Sequence, residues 1–389
     1  MAKPKLLVLA STFPRALGDG TPGFVLDLAL EQAKEFDVTV LTPLVPGARR
    51  AELIGEVKVV RYRYWPFPQK LADGSILDNL RQNPSLWLEV PWLMAGLFWA
   101  IDQQLRKNKP DLVHAHWIIP QGLMSTLLTK KIPILITAHG GDIYALNGGS
   151  LKNLKLWALG RAAAITTVNQ EMRSRLISWG LPESKIQVLP MGTDFAKFQN
   201  PAQSKLPGSV LAIGRLVEKK GFDVLIHAIR NGMAQNKLPS DFKLRIAGDG
   251  PLRTELEEQA RGLPIEFLGN QPQSEISRLL ASSEIFVLPS RVAKSGDREG
   301  LPVTLMEAAA SSSFVVASKL AGIDELVVDG ESGLLVQPDD PAQLIEALAA
   351  GLADPNLRRR LARELSLSAQ RFDIKVIGDQ YNALLRSLK

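Results

Sequence analysis

The strongest constraint on this chain is an alternation, sustained from end to end, between short β-branched apolar runs and longer segments of helical spacing. In the first half the runs fall at residues 6–10, 38–42, 57–62, 112–116, 134–139, 164–168 and 186–190. Most are apolar at every position rather than every second one. A strand reads that way when both faces of its sheet are covered. Between them, residues 25–36 and 92–107 carry helical spacing with basic or polar ends. The second half repeats the plan. Strands are expected over 210–213, 244–247, 265–268, 285–288, 315–318 and 333–336, and helices over 222–229, 252–260, 275–281, 303–310 and 341–350. Such alternation specifies parallel sheets wound right-handedly. A chain of 389 residues is too long for one ordinary core and suits two domains of roughly 150–200 residues. Residues 200–208 have the composition of a linker. The expected architecture is α/β: two tandem Rossmann-like doubly wound domains, residues 1–200 and 201–389, with the last helix able to pack back on the first.

Open parallel sheets bind ligands beyond the carboxyl ends of their strands, and the chemistry-bearing motifs sit at such ends. The run 210–213 leads into Gly214-Arg215-Leu216-Val217-Glu218-Lys219-Lys220-Gly221 and then a helix. A guanidinium fork at Arg215, a compact charge at Lys220 and the N–H groups of a helix start suit a diphosphate. A solvated basic turn is the plain alternative. Further on, Glu299-Gly300-Leu301-Pro302-Val303-Thr304-Leu305-Met306-Glu307 places two carboxylates eight positions apart. Pro302 suits a first helical turn, so Glu299 precedes the helix and Glu307 lies about a turn inside it. The N–H groups near Gly300, Leu301 and Val303 would face an anion. Glu299 would accept hydrogen bonds from sugar hydroxyls and Glu307 from a ribose. A capped helix with two solvated glutamates reads equally well from these residues alone.

The order of Gly214-Arg215-Leu216, Lys220-Gly221, Gly248-Asp249-Gly250-Pro251, Phe267-Leu268-Gly269, the Glu299 and Glu307 pair, and then Gly322, Glu325, Asp329-Gly330 and Gly333 resembles the family 4 retaining glycosyltransferases of the GT-B fold. The glutamate pair matches that family's Glu-x7-Glu signature. Thr137-Ala138-His139-Gly140-Gly141-Asp142 and Pro190-Met191-Gly192-Thr193-Asp194 with Phe198 extend the resemblance over nearly the whole chain. It implies two domains facing a central cleft. It also implies metal-independent, retaining transfer of a sugar from a nucleotide-diphosphate sugar to a glycan or lipid-linked acceptor, in cell-surface polysaccharide or glycolipid synthesis. By the resemblance, Arg215 and Lys220 bind the diphosphate beside Gly214, Glu299 holds the donor sugar, Glu307 the ribose, and His139 faces the donor sugar near the reaction centre. The leaving phosphate helps deprotonate the acceptor, so no protein nucleophile is required. The sequence indeed shows no nucleophile–base pair. Residues 290–300 are longer than the family's commonest form and similar to an exopolysaccharide and colanic-acid-type subgroup.

In the first half, Gly18-Asp19-Gly20-Thr21-Pro22-Gly23 is a literal Gly-x-Gly-x-x-Gly. Residues 11–17 separate it from its strand, and the next strand ends at Thr42-Pro43 with no acid for a ribose, which argues against a dinucleotide fingerprint. Gly20 and Gly23 read instead as a donor-side loop in keeping with the resemblance, or as a plain connector. No cofactor is expected besides the donor itself. The absence of cysteine excludes disulfides, and four histidines make a multi-histidine metal site improbable. Residues 1–200 hold 23 Lys and Arg against 16 Asp and Glu, so 23 of the 46 bases and 24 of the 40 acids fall in the rest. The excess of positive charge in the first half favours an anionic partner or is simply a solvated surface. Trp87, Trp92, Phe98 and Trp99, with Arg61, Arg63, Lys70 and Arg81 upstream, fit either a core helix or a grip on a lipid-linked acceptor at an anionic membrane. Glu89 and Pro91 interrupt the apolar stretch there, and no run approaches the ~20 residues of a membrane span. The expected location is cytoplasmic, with a peripheral place on the inner membrane face open to it, and no nucleic acid partner. A nucleotide-sugar epimerase recruiting His139 and Glu299, and a non-catalytic sugar- or nucleotide-binding protein, are the alternatives.

Overall fold

The computed structural model describes residues 2–16, 18, 23–66, 69–145, 148–199 and 204–389, apart from the Asp78 side chain. The chain divides into two compact units, one of Met1–Gly192 with Ile374–Lys389 and one of Thr193–Asp373.

Among the described residues, the first unit carries an eight-stranded sheet. Its strands are β1 (Lys5–Leu9), β2 (Asp37–Pro43), β3 (Ala51–Ile54), β4 (Val57–Tyr62), β5 (Leu112–His116), β6 (Ile134–Ala138), β7 (Ala164–Thr167) and β8 (Ile186–Val188). They lie in the order β3-β4-β2-β1-β5-β6-β7-β8. All neighbours pair parallel except β3, which is antiparallel to β4. The sequence reading missed β3 because an edge strand need bury little: only Ile54 of its four residues is buried. The second unit carries β9 (Leu206–Ile213), β10 (Lys243–Ala247), β11 (Ile265–Gly269), β12 (Ser283–Leu288), β13 (Phe314–Ser318) and β14 (Leu334–Val336). Their order, β11-β10-β9-β12-β13-β14, is all parallel and is the 3-2-1-4-5-6 arrangement of a Rossmann domain.

The continuous apolar runs are explained by what each residue meets. Along β12 and β13, Phe286, Leu288, Val315 and Ala317 enter one core cluster. Their neighbours Ile285, Val287, Phe314 and Val316 enter another on the opposite face. Side chains alternate across a strand, and here both faces are covered, so residues 285–288 and 314–317 are apolar at every position.

The helix Ile374–Ser387 lies beyond the second unit in sequence yet belongs to the first. It buries Ile374, Ile377, Gly378, Tyr381, Asn382, Leu384 and Leu385, the stripe of an amphipathic helix. It packs on the helix Phe24–Gln32. Gly378 is needed there because a Cβ would stand 2.5 Å from Glu31 Cβ. The Tyr381 hydroxyl donates to the Leu189 carbonyl at 2.9 Å, and Asn382 Nδ2 donates to the Glu31 carbonyl at 3.2 Å.

One expectation needs correction. Residues 84–107 form a continuous helical stretch containing an 18-residue window of mean hydropathy 1.2, long and apolar enough by length and composition to cross a membrane. Glu89 does not interrupt it, because its buried carboxylate accepts from the Leu71 N–H at 3.3 Å. Pro91 sits in the first turn of Val90–Lys107, where its missing N–H costs nothing.

Tyr381→Phe should destabilise the first unit by about 1 kcal/mol through the lost hydroxyl bond, and Tyr381→Ala by roughly 3–5 kcal/mol through the lost buried ring. Denaturant unfolding followed by circular dichroism measures both. Wild-type midpoints in both variants would show that this helix does not hold the unit together.

Candidate active site

In the second unit the direction of strand succession reverses between β9 and β12. Ligands of open α/β sheets bind in the crevice at such a reversal. Two turns meet there. Residues 214–221 follow β9, and residues 289–302 follow β12. Gly221 adopts φ +64, and a Cβ on it would stand 2.0 Å from the Pro289 carbonyl oxygen. Only glycine lets the two backbones come that close. Gly214 has the same function towards a side chain: a Cβ on it would stand 3.0 Å from Cε of Lys220. The long segment after β12 is stitched down by its own groups. The Arg291 N–H donates to the Lys219 carbonyl at 2.9 Å, Arg291 Nε to the Glu218 carbonyl at 3.0 Å, and the Lys294 N–H to a Glu218 carboxylate oxygen at 3.0 Å.

This arrangement brings Lys220 and Glu299 together. Both are buried, and Lys220 Nζ lies 3.2 Å from Glu299 Oε1. Beside them Lys219 Nζ lies 3.3 Å from Asp297 Oδ2. The two carboxylates of Asp297-x-Glu299 thus each face a lysine. Burial by itself would raise the Glu299 carboxyl. The Lys220 and Lys219 ammoniums outweigh it and hold Glu299 below its usual value, so the group is ionised at neutral pH. Neither Ser290 Oγ nor Thr304 Oγ1, buried on the same segment, has a hydrogen-bond partner among the described residues. Orphaned buried polar atoms are rare. Two on one loop and helix start, beside the Lys220–Glu299 pair, suit hydroxyl and phosphate groups.

Arg215 follows Gly214 directly and is half-buried. Gly300 and Leu301 are buried between Glu299 and the helix Val303–Ala310. That helix starts after Pro302 with no side-chain cap, so its N–H groups remain suited to an anion. Leu305 and Met306 anchor it in the core, and buried Glu307 lies one turn in.

In the first unit the succession reverses between β1 and β5. His116 ends β5 and His139 follows β6. Nδ1 of His116 and Nε2 of His139 share a hydrogen bond at 3.0 Å. Gln32 Nε2 meets His114 Nδ1 at 2.9 Å, and His114 Nε2 meets Thr137 Oγ1 at 2.8 Å. The rings form a column: Tyr381 on His114 at 5.5 Å, His114 on His116 at 4.2 Å, and His116 on His139 at 5.2 Å. Trp117 and Phe24 close around His139 at 4.6 and 5.3 Å. Asp142 pins the turn from below, one carboxylate oxygen accepting from the N–H groups of His139 and Gly140 at 3.0 Å each and the other from Ile118 at 3.1 Å. Gly23 caps the helix that carries Phe24. Gly20 lies outside the described residues. Trp117, Phe24, Asp142, Ser290 and Tyr381 were not singled out from the sequence. Asp142 stood within a quoted motif, whereas Tyr381 carries no local signal.

Burial pulls His139 down to about 3. It does the same to His114, helped by His139, and holds His116 well below its usual value. The native cluster is therefore neutral. On lowering the pH, the unfolded chain takes up protons first, from 6.5 downward, while the native histidines wait until about 3. Stability present at neutral pH is lost as pH falls through that window. The melting temperature should drop between about pH 7 and about pH 5, and His114→Gln should flatten the slope. A wild-type melting temperature independent of pH would contradict a neutral cluster.

Comparison with known proteins gives two family models. One described as Glycosyltransferase Family 4 matches residues 19–197, and one described as Glycosyl transferases group 1 matches residues 207–354. A Salmonella typhimurium protein named as a colanic acid biosynthesis glycosyltransferase, WcaL, is 39% identical over 227 residues, covering 55% of this chain and 54% of its own length. The chain thus spans about half the length of the curated relatives it matches. Among solved structures, sucrose-phosphate synthase of Thermosynechococcus elongatus superposes with a TM-score of 0.81 at 20% identity over 99% of both chains. Anabaena HepE, in complex with UDP and glucose, superposes at 0.73 and 20% identity over 99% of this chain and 100% of its own.

Proposed function

For a chain that belongs to glycosyltransferase family 4 and has the GT-B fold, we propose transfer of a sugar from a nucleotide-diphosphate sugar to a glycan or lipid-linked acceptor, with retention of anomeric configuration. The observation that carries this reading is the buried Lys220–Glu299 pair where strand succession reverses in the second unit. A diphosphate needs fixed cations and N–H donors, and Lys220, Arg215 and the residues from Gly300 to Val303 supply them. Glu299, ionised, accepts hydrogen bonds from the donor sugar hydroxyls. Glu307 does the same for the ribose. Gly214, by lacking a side chain, leaves room for Lys220 to reach forward. Gly20 and Gly23 contribute a donor-side loop.

In the reaction, the bond from the anomeric carbon to the phosphate oxygen breaks as the acceptor oxygen bonds to the same face of that carbon. The acceptor proton passes to the departing phosphate. The cations stabilise charge that grows on that phosphate. His139, neutral at physiological pH, serves as a fixed hydrogen-bonding group in the first unit. HepE, crystallised with UDP and glucose, makes UDP-glucose the first donor to test. The colanic-acid relative supports an acceptor in cell-surface polysaccharide or glycolipid synthesis, with the first unit in peripheral contact with an anionic membrane on the cytoplasmic side. The epimerase alternative gains no support from the matched family models or from the colanic-acid relative, all described as glycosyltransferases.

Glu299→Gln should lower turnover roughly 10²-fold or more, the scale of one lost preorganised contact. Lys220→Met should chiefly weaken donor binding and also destabilise the unit, because it leaves a buried carboxylate unpaired. The double variant should regain stability but not donor affinity. Steady-state kinetics with UDP-, GDP- and ADP-sugars and thermal melts measure these effects. Near-wild-type turnover in Glu299→Gln would remove Glu299 from the reaction.

A further inference from the structure

We infer that one helical face of the first unit is a docking surface for an anionic lipid bilayer, on which the protein lies without crossing it. The inference deepens the acceptor side of the proposed function and rests on it only for its use; the binding itself is independent of turnover.

The helix Val90–Lys107 has two apolar faces. Leu93, Leu97 and Ile101 point into the core and are fully or nearly fully buried. Trp92 and Trp99 point outward and are 54% and 69% exposed. Trp87 and Leu88, on the turn before the helix, are 59% and 71% exposed. An outward face of this composition is costly in water, and the fold does not cover it. The helix packs against Leu123–Leu128, which packs in turn against Gly149–Arg161. These three helices lead into or join β5, β6 and β7, successive strands connected in one sense, so right-handed crossovers place them on one face of the sheet. The second and third helices also expose apolar residues, Leu127 at 50% and Leu154 at 43%.

Charge decides what this face meets. Lys107 and Lys109 follow the exposed tryptophans, exposed Lys130 and Lys131 follow the second helix, and Lys152 lies on the third. Acidic groups are nearly absent. Among the described residues of residues 84–109, 123–131 and 149–161, Glu89 is buried and Asp102 is paired with Arg106 at 3.0 Å. A second copy of this chain would set the same lysines against each other. An anionic bilayer satisfies both properties: indole rings settle at the headgroup level and lysines meet lipid phosphates. The buried side of the helix, fixed in the core, excludes a spanning position even though its length and hydropathy would allow one.

The test is co-sedimentation of the full chain, without substrate, with vesicles of phosphatidylcholine alone and of phosphatidylcholine with roughly one-third phosphatidylglycerol. Binding to the anionic vesicles, absent on the neutral ones and weakened by salt, is expected. Trp92→Ser combined with Trp99→Ser should reduce partitioning about tenfold or more, and Lys130→Glu with Lys131→Glu should remove the preference for anionic lipid. All four positions are on the surface, so melting temperature and transfer to a soluble acceptor should stay at wild-type levels. That separates failure of docking from failure of the transferase reading. Absence of wild-type binding, equal binding to both vesicles, or unchanged binding by the tryptophan variant would overturn the inference. So would self-association that the tryptophan variant abolishes in a protein that ignores vesicles.

Discussion

The contact between Lys220 and Glu299 is the constraint on which the second unit's chemistry depends. Taking both charges out of water is expensive, and in protein interiors such a pair is often no more stabilising than well-packed apolar residues would be. Its presence is therefore poorly explained by stability. The surroundings are arranged to make it possible: glycine at 214 gives Lys220 its path, glycine at 221 lets the two turns touch, and the lengthened segment after β12 is tied down through Arg291 and Lys294. The result is a fixed cation next to a fixed anion. In the proposed reaction that polarity matches a donor whose phosphate end is negative and whose sugar end offers hydroxyl hydrogens.

The first unit solves a different problem. Its three clustered histidines are stripped of water and kept neutral, so they offer direction rather than charge. Each ring is fixed by stacking and by at least one hydrogen bond, and the far end of the column rests on Tyr381. A helix from the end of the chain thereby supports side chains near its middle. A neutral imidazole can hydrogen-bond without competing for an acceptor's proton, which suits the proposed transfer, in which the phosphate itself takes that proton.

Much of this was legible in the sequence, for definite reasons. The central strands of the second unit, buried on both faces, could be read because they contain unbroken apolar runs, as along residues 285–288 and 314–317. The nearness of Lys220 and Glu299 followed from topology, since turns after the first and fourth strands of a Rossmann sheet share one crevice. What escaped notice depends on long-range packing or on marginal burial. Strand β3 buries one residue. That the last helix could return to the first domain was an expectation, but the contacts that fix it there, Tyr381 with Leu189 and Gly378 with Glu31, carry no local signal. The tryptophan-rich helix could not be classed as core or surface because it is both, with alternate sides of one cylinder facing each way.

The central claim is that the second unit holds a pyrophosphate by charge. Calorimetric titration of the wild-type protein with each common nucleoside and with its diphosphate tests it most directly. The account predicts that one diphosphate binds at least about a hundredfold more tightly than its parent nucleoside, with an affinity that falls as salt is added, since charge-assisted contacts supply the difference. Equal affinity for nucleoside and diphosphate would contradict it.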